Sequence, residues 1–132
     1  MKEYVLDAFA VLALLRGEAG AGRVRSLLAQ AERGRARVAI CLINAGEVYY
    51  TVARREGRRA AQRVRQLVSA TAVEQVSVDD ALIWEAAALK ADLAISYAGA
   101  FALALAARRG AALVTGDRDF EAARDRVNII WL

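Results

Sequence analysis

The chain has 132 residues, a formal net charge of +4 and a hydrophobic content of 58%, much of it alanine. That is the length of one domain, residues 1–132, with room for a real core and none for a second domain. It has no histidine and one cysteine, Cys41, which excludes histidine-dependent catalysis, His-ligated metals, an internal disulfide and a cysteine-built zinc site. Any bound metal is then a hard cation held by oxygen, which points to magnesium or manganese. No apolar run approaches the roughly 20 residues that cross a bilayer. The start, Met1-Lys2-Glu3-Tyr4-Val5-Leu6-Asp7, lacks the pattern of a signal peptide, so a cytoplasmic protein is expected. The positive charge is almost all arginine, Lys2 and Lys90 being the only lysines. Arginine's fixed fork of donors suits a polyanionic partner, although an Arg-rich face can equally be a solvated one.

In chain order, Glu3 to Leu6 reads as a short strand that ends at Asp7, and Ala8 to Leu15 as a helix closed by Arg16-Gly17. Asp7 suits an ordinary helix cap there. Glu18 to Gly34 reads as a second helix with Val24, Leu27, Leu28 and Ala31 on one face, and Val38-Ala39-Ile40-Cys41 as a second strand with Cys41 a small core residue. A third helix runs from about Ile43 through Arg55. Within it Glu47 is the only charge between Ile43 and Ala53. Glu47 can close a capping box on Asn44, or it can be a carboxylate on an apolar surface whose lost hydration a cation replaces.

Arg54, Arg55, Arg58 and Arg59 lie at the hairpin into a fourth helix, Arg58 to Ala70, and form the most basic segment, either solvated or facing RNA phosphates or an acidic peptide. Val73 to Val78 is the third strand. Asp79-Asp80 caps a fifth helix that reaches about Asp92 and is expected to place Trp84 in the core. Ser96 caps a sixth helix ending at Arg109, in which Gly99 costs about 0.5 to 1 kcal/mol against alanine and so needs a reason. Gly110 suits the left-handed residue past that helix end. Ala111 to Thr115 is the fourth strand, Gly116-Asp117 a turn, Phe120 to about Arg124 a short helix and Val127 to Trp131 a last strand. Asp117 and Asp119 can serve as turn and cap residues.

Alternating strands and helices with buried apolar strands imply a three-layer αβα sandwich around a mostly parallel sheet of four to five strands. In such a sheet Asp7 and Asp117 end strands at the same edge. The third helix starts at that edge with Glu47, and the sixth helix starts there around Gly99.

These segments together resemble the PIN domain, and especially the nuclease toxins of VapBC-type toxin–antitoxin pairs. The resemblance rests on Val5-Leu6-Asp7-Ala8, Asn44 with Glu47-Val48-Tyr49-Tyr50, Ser96-Tyr97-Ala98 followed by Ala100 to Ala106, and Leu113-Val114-Thr115-Gly116-Asp117-Arg118-Asp119-Phe120, in order across nearly the whole chain. It implies a ribonuclease whose acids bind magnesium or manganese, with Asp7, Glu47 and Asp117 matching three of them and Asp119 a further acidic position. It also implies a homodimer and an antitoxin partner whose acidic or arginine-bearing tail covers the active edge. One match fails: Gly99 stands where the family has an aspartate. Either that change was selected or engineered to silence a lethal activity, or the sequence is natural and holds metal with its remaining acids or is catalytically retired.

The chemistry expected is metal-assisted phosphodiester hydrolysis, with Asp7, Glu47 and Asp117 as ligands, Asp119 supporting, and Asn44, Thr115 and Ser96 as orienting groups. Arg54, Arg55, Arg58, Arg59 and Arg118 are candidate contacts for RNA or a partner. A receiver domain fails because the two lysines are misplaced, and an Asp-x-Asp phosphatase fails because position 9 is Phe9. The remaining rival is a nuclease-dead module that binds RNA or an antitoxin without cutting, for which Gly99 is the evidence.

Overall fold

The computed structural model describes residues 1–132. The elements are β1 (Lys2–Leu6), α1 (Ala8–Arg16), α2 (Ala21–Glu32), β2 (Ala36–Cys41), α3 (Leu42–Glu56), α4 (Arg58–Ala70), β3 (Glu74–Val76), α5 (Asp80–Asp92), α6 (Tyr97–Arg109), β4 (Ala112–Thr115) and β5 (Ile129–Trp131), with a 3-10 turn over Arg118–Ala123. The five strands form one sheet in the order β3-β2-β1-β4-β5, every neighbouring pair parallel. Parallel strands need crossover helices, and the helices here cover both faces.

Alternation along the central strands sorts the core into two halves. Val5 and Leu113 share one cluster with Ala100 to Ala106 of α6 and with Leu82 and Ala86 of α5. Their neighbours Leu6 and Val114 belong to the other, with Val11, Val24, Val48 and Val52 from α1, α2 and α3. Period-two side chains on a sheet covered on both sides produce this division. Leu113 is fully buried in the central β4, so Leu113→Ala is expected to cost about 2 to 5 kcal/mol. Urea denaturation measures it, and a loss under about 1 kcal/mol would contradict this packing.

Several local expectations need correction. The second helix starts at Ala21 instead of Glu18, because Gly17 and Gly20 both adopt positive φ and hold residues 17–20 in a turn. The third strand is trimmed to Glu74–Val76 and is an edge strand with Glu74 and Gln75 exposed. The last strand is similarly trimmed to Ile129–Trp131, and the short helix near Phe120 is a 3-10 turn that begins at Arg118. Trp84 is not in the core; it is 74% exposed. Helix α5 docks through Leu82 and Ala86, and a residue two positions from Leu82 points about 200° away round the helix.

The strand order reverses between β1, whose chain winds out to β2, and β4, whose chain winds out to β5. In open parallel sheets the crevice past the carboxyl ends of two such strands is where ligands bind. No single helix is long and apolar enough to cross a membrane.

Candidate functional site

Asp7 follows β1 directly and caps α1, with extended backbone at φ −90° and ψ −179°. Its Oδ1 accepts from the Ala10 amide at 2.9 Å, and its Oδ2 accepts from the Thr115 hydroxyl across the β1–β4 junction. Thr115 Oγ1 in turn accepts from the Asp117 amide at 3.0 Å, and Asp117 Oδ1 accepts from the Asp119 amide at 2.9 Å. One relay of hydrogen bonds thus ties the ends of the two central strands together and fixes both aspartates. Capping is therefore a real job of Asp7 and Asp117, performed with only part of each carboxylate.

Glu47 is not in a capping box. Helix α3 begins at Leu42 after Cys41, which puts Asn44 inside the first turn, where a side chain no longer caps. Asn44 is instead buried, and its Nδ2 donates to the Ala98 carbonyl at 2.9 Å, pinning the start of α3 to the start of α6. Its Oδ1 is the one buried side-chain oxygen or nitrogen in the molecule with no hydrogen-bond partner. Ser96 caps α6 by accepting from the Gly99 amide at 3.0 Å.

Asp7, Asn44, Glu47, Ser96, Gly99 and Asp117 line one cavity of about 160 Å³, together with Phe9, Leu12 and Phe120. The four predicted segments do meet. Asp119 does not line that cavity; its amide serves Asp117 while its side chain is exposed. Arg118 lies over the Trp131 ring at 4.6 Å and pairs with Glu121 at 3.2 Å. Arg54, Arg55, Arg58 and Arg59 are exposed at the far end of α3 and make no ion pair. Arg54 stacks over Tyr50 at 5.0 Å and stands about 10 Å along the helix axis from Glu47.

The cavity is electrostatically tense. Burial, aided by the nearby charges of Asp117 and Glu47, pushes the Asp7 carboxyl up to about 7 despite the bonds from Thr115 and Ala10. Burial and then Asp117 also push Glu47 above the usual carboxylate range. No three acidic side chains stand as ready ligands of one metal ion, and hydrogen bonds occupy both oxygens of Asp7 and one of Asp117. The donors present are nevertheless all hard oxygens, and the partnerless Oδ1 of Asn44 is a neutral one on the same wall. A group of this composition fits magnesium or manganese and no soft metal.

A larger cleft of about 280 Å³ between α1, α3 and α4 is lined mostly by apolar side chains such as Val11, Leu42 and Val68, with Arg65 its one charge. It offers no acid–base or ligand chemistry. The carboxylates that line the smaller cavity have no counterpart in this larger cleft.

Ala8, Phe9, Leu12 and Phe120 line the cavity without being legible as site residues in the sequence, because apolar side chains there carry no chemical signature.

A doubly wound parallel sheet with an acid cavity at its switch point defines a class of α/β proteins whose ligands bind in the crevice past the strand ends. A family model for the PIN domain matches residues 4–125. The chain belongs to the PIN domain family. No curated protein matches it by sequence. Among solved structures it is similar to Mycobacterium tuberculosis VapC20, described as a sarcin-ricin loop cleaving toxin, at 23% identity over 92% of this chain and 95% of that one, with a TM-score of 0.72. It is also similar to DNA-bound VapBC from Salmonella typhimurium, at 19% identity over 98% of each chain and TM-score 0.75. A third likeness is to VapBC2 from Rickettsia felis bound to a promoter DNA fragment, at 17% identity over 97% of each chain and TM-score 0.74. At these identities the likenesses establish a shared fold.

Proposed function

We propose that this protein is a metal-dependent endoribonuclease, the toxin of a toxin–antitoxin pair, weakened by Gly99. The observation that carries this reading is the cavity shared by Asp7, Glu47 and Asp117 at the switch point, with the partnerless Asn44 Oδ1 on its wall. Membership of the PIN family, and similarity to structures described as a cleaving toxin and as VapBC complexes, supports it.

Asp7, Glu47 and Asp117 would hold the cation, and Asn44 Oδ1 is a further oxygen on that wall. When bound, a divalent cation supplies positive charge against the scissile phosphate and leaving oxygen and makes water acidic enough to attack at neutral pH. Thr115 keeps Asp7 aimed and receives the Asp117 amide, Ser96 holds the first turn of α6, and Asn44 locks α3 to α6 so that Glu47 faces the cavity. Such supports decide how well the acids stay oriented. The unpaired arginines of the α3–α4 hairpin and Arg118 suit an anionic partner, either RNA or the acidic part of an antitoxin. A cytoplasmic homodimer that is neutralised by its antitoxin completes the proposal.

The test is cleavage of labelled RNA by the chain, with Glu47→Gln as control. Cleavage in manganese or magnesium that stops in chelator and in Glu47→Gln is the expected result. Cleavage indifferent to both would overturn the proposal. A second reading is favoured by one observation, the absence of an acid at Gly99: a module that binds RNA or an antitoxin and cuts nothing. It predicts RNA or antitoxin binding with no cleavage even in Gly99→Asp.

A further inference from the structure

Phe9 sits in the first turn of α1, one residue beyond the first helical position and two from Asp7. Its ring occupies the place that a side chain at residue 116 would take. A Cβ built on Gly116 would lie 2.2, 2.6 and 2.9 Å from three Phe9 ring atoms. Gly116 does not have positive φ, so a side chain there would be opposed by the Phe9 ring, which would have to move, and not by backbone conformation. An aromatic seated that closely on backbone is usually core. Phe9 is 41% exposed, and it forms a wall of the cavity that holds Asp7, Glu47 and Asp117. Backbone supports the ring at the Gly116 turn, and part of its surface remains open to whatever enters.

What enters, if the ribonuclease reading on which this inference rests is right, is a phosphodiester flanked by two bases. The acids can engage the phosphate only through a cation, because on their own they repel it. A fixed apolar ring at the cavity wall answers to the other half of a nucleotide, the flat face of a base, which stacks on aromatic rings with little regard to sequence. Such stacking requires a base pulled free of its neighbours, as in single-stranded or loop RNA.

We propose that Phe9, held on Gly116, is the stacking platform for the base next to the phosphodiester that is cut, and that it restricts the protein to RNA in which that base is unpaired. Phe9 acts by positioning the strand, so its loss weakens RNA binding and raises KM more than it lowers kcat.

Fluorescence anisotropy with a panel of labelled RNA hexamers, in calcium to hold the site with a hard cation, reads binding directly. Each hexamer is also made with a single abasic position, scanned along its length. Phe9→Ala and Phe9→Leu are expected to weaken binding by roughly 5- to 100-fold, while Phe9→Trp stays within a few-fold of the parent. Gly116→Ala, which pushes the ring off its seat, should match Phe9→Ala. One abasic position should weaken binding to the parent chain and cause no further loss in Phe9→Leu. That non-additivity separates stacking from a merely structural role, and Phe9→Leu keeps enough apolar volume to fold.

Parent-like binding by Phe9→Leu with the same abasic sensitivity overturns the stacking role and leaves the ribonuclease reading standing. Absence of RNA binding by the parent chain in any divalent cation overturns both.

Discussion

Asp7→Asn is expected to make the metal-free protein more stable at pH 8 and to lower its metal-dependent RNA cleavage by about 100-fold or more. The stability half follows from burial. The Asp7 carboxyl has its pKa raised from 3.8 to about 7 in the folded chain. Below about pH 4 the carboxyl is protonated in both folded and unfolded chains and contributes no penalty. Between pH 4 and 7 the unfolded chain ionises while the folded one holds its proton, so stability falls as pH rises. Above pH 7 the full penalty applies, on the order of 4 kcal/mol at about 1.4 kcal/mol per pKa unit. Asparagine carries no such penalty, and it can still accept from the Ala10 amide. The advantage of the variant should therefore vanish toward pH 4 and be complete by pH 8, as read from urea midpoints in chelator. A parent stability that rises through this pH window, or an Asp7→Asn variant weaker than the parent at pH 8, would contradict the assignment. Opposite effects on stability and activity are what a site kept at the expense of the fold produces.

Gly99→Asp carries the second large effect. The position lines the acid cavity from the first turn of α6, so an aspartate there adds a fourth carboxylate. Expected are a tenfold or greater gain in manganese affinity and in RNA cleavage. In chelator the same variant should melt several degrees lower, for two reasons. Its carboxylate adds repulsion to a cavity that already raises Asp7 and Glu47. Its Cβ also lies 3.0 Å from both Phe120 Cζ and Ser96 Oγ, so the buried Phe120 ring must give by a few tenths of an ångström. Manganese should recover the lost stability by mass action. Gly99→Asn separates the two causes, since it brings the same crowding without the charge and should gain no affinity. If Gly99→Asp cleaves no better than the parent, the idea that glycine silences an otherwise complete site is lost, and the binding-only reading gains.

The convergence of the candidate site's residues is legible in the sequence because most of them stand at strand ends. A short apolar strand that stops at an acid is a local pattern, and parallel topology then carries Asp7 and Asp117 to one edge without knowledge of any contact. The close spacing of the cap residues also read correctly: Gly110 does end α6 in the left-handed conformation, at φ 61°. What failed depended on rotation about a helix or on a partner far along the chain. Tryptophan's size and apolarity predict a core position for Trp84, yet α5 packs on α6 through Leu82 and Ala86 and leaves Trp84 exposed. Asn44 and Glu47 fit a capping box by spacing alone, but the start of α3 at Leu42 moves both past the capping position. The job Asn44 does instead, donating to the Ala98 carbonyl 54 residues away, leaves no trace in local sequence. The seat of Phe9 on Gly116 is likewise a long-range fit. Asp119, expected in a supporting role, has an exposed side chain outside the cavity lining.

The central claim is that Asp7, Glu47 and Asp117 serve one hard cation. Crystals soaked in manganese and measured for anomalous scattering at the manganese edge test it most directly. A single strong peak among these three carboxylates, met directly or through water, and missing from Asp7→Asn crystals, is the predicted result. A cavity without a peak at millimolar manganese, or a peak elsewhere that persists in Asp7→Asn, would contradict it.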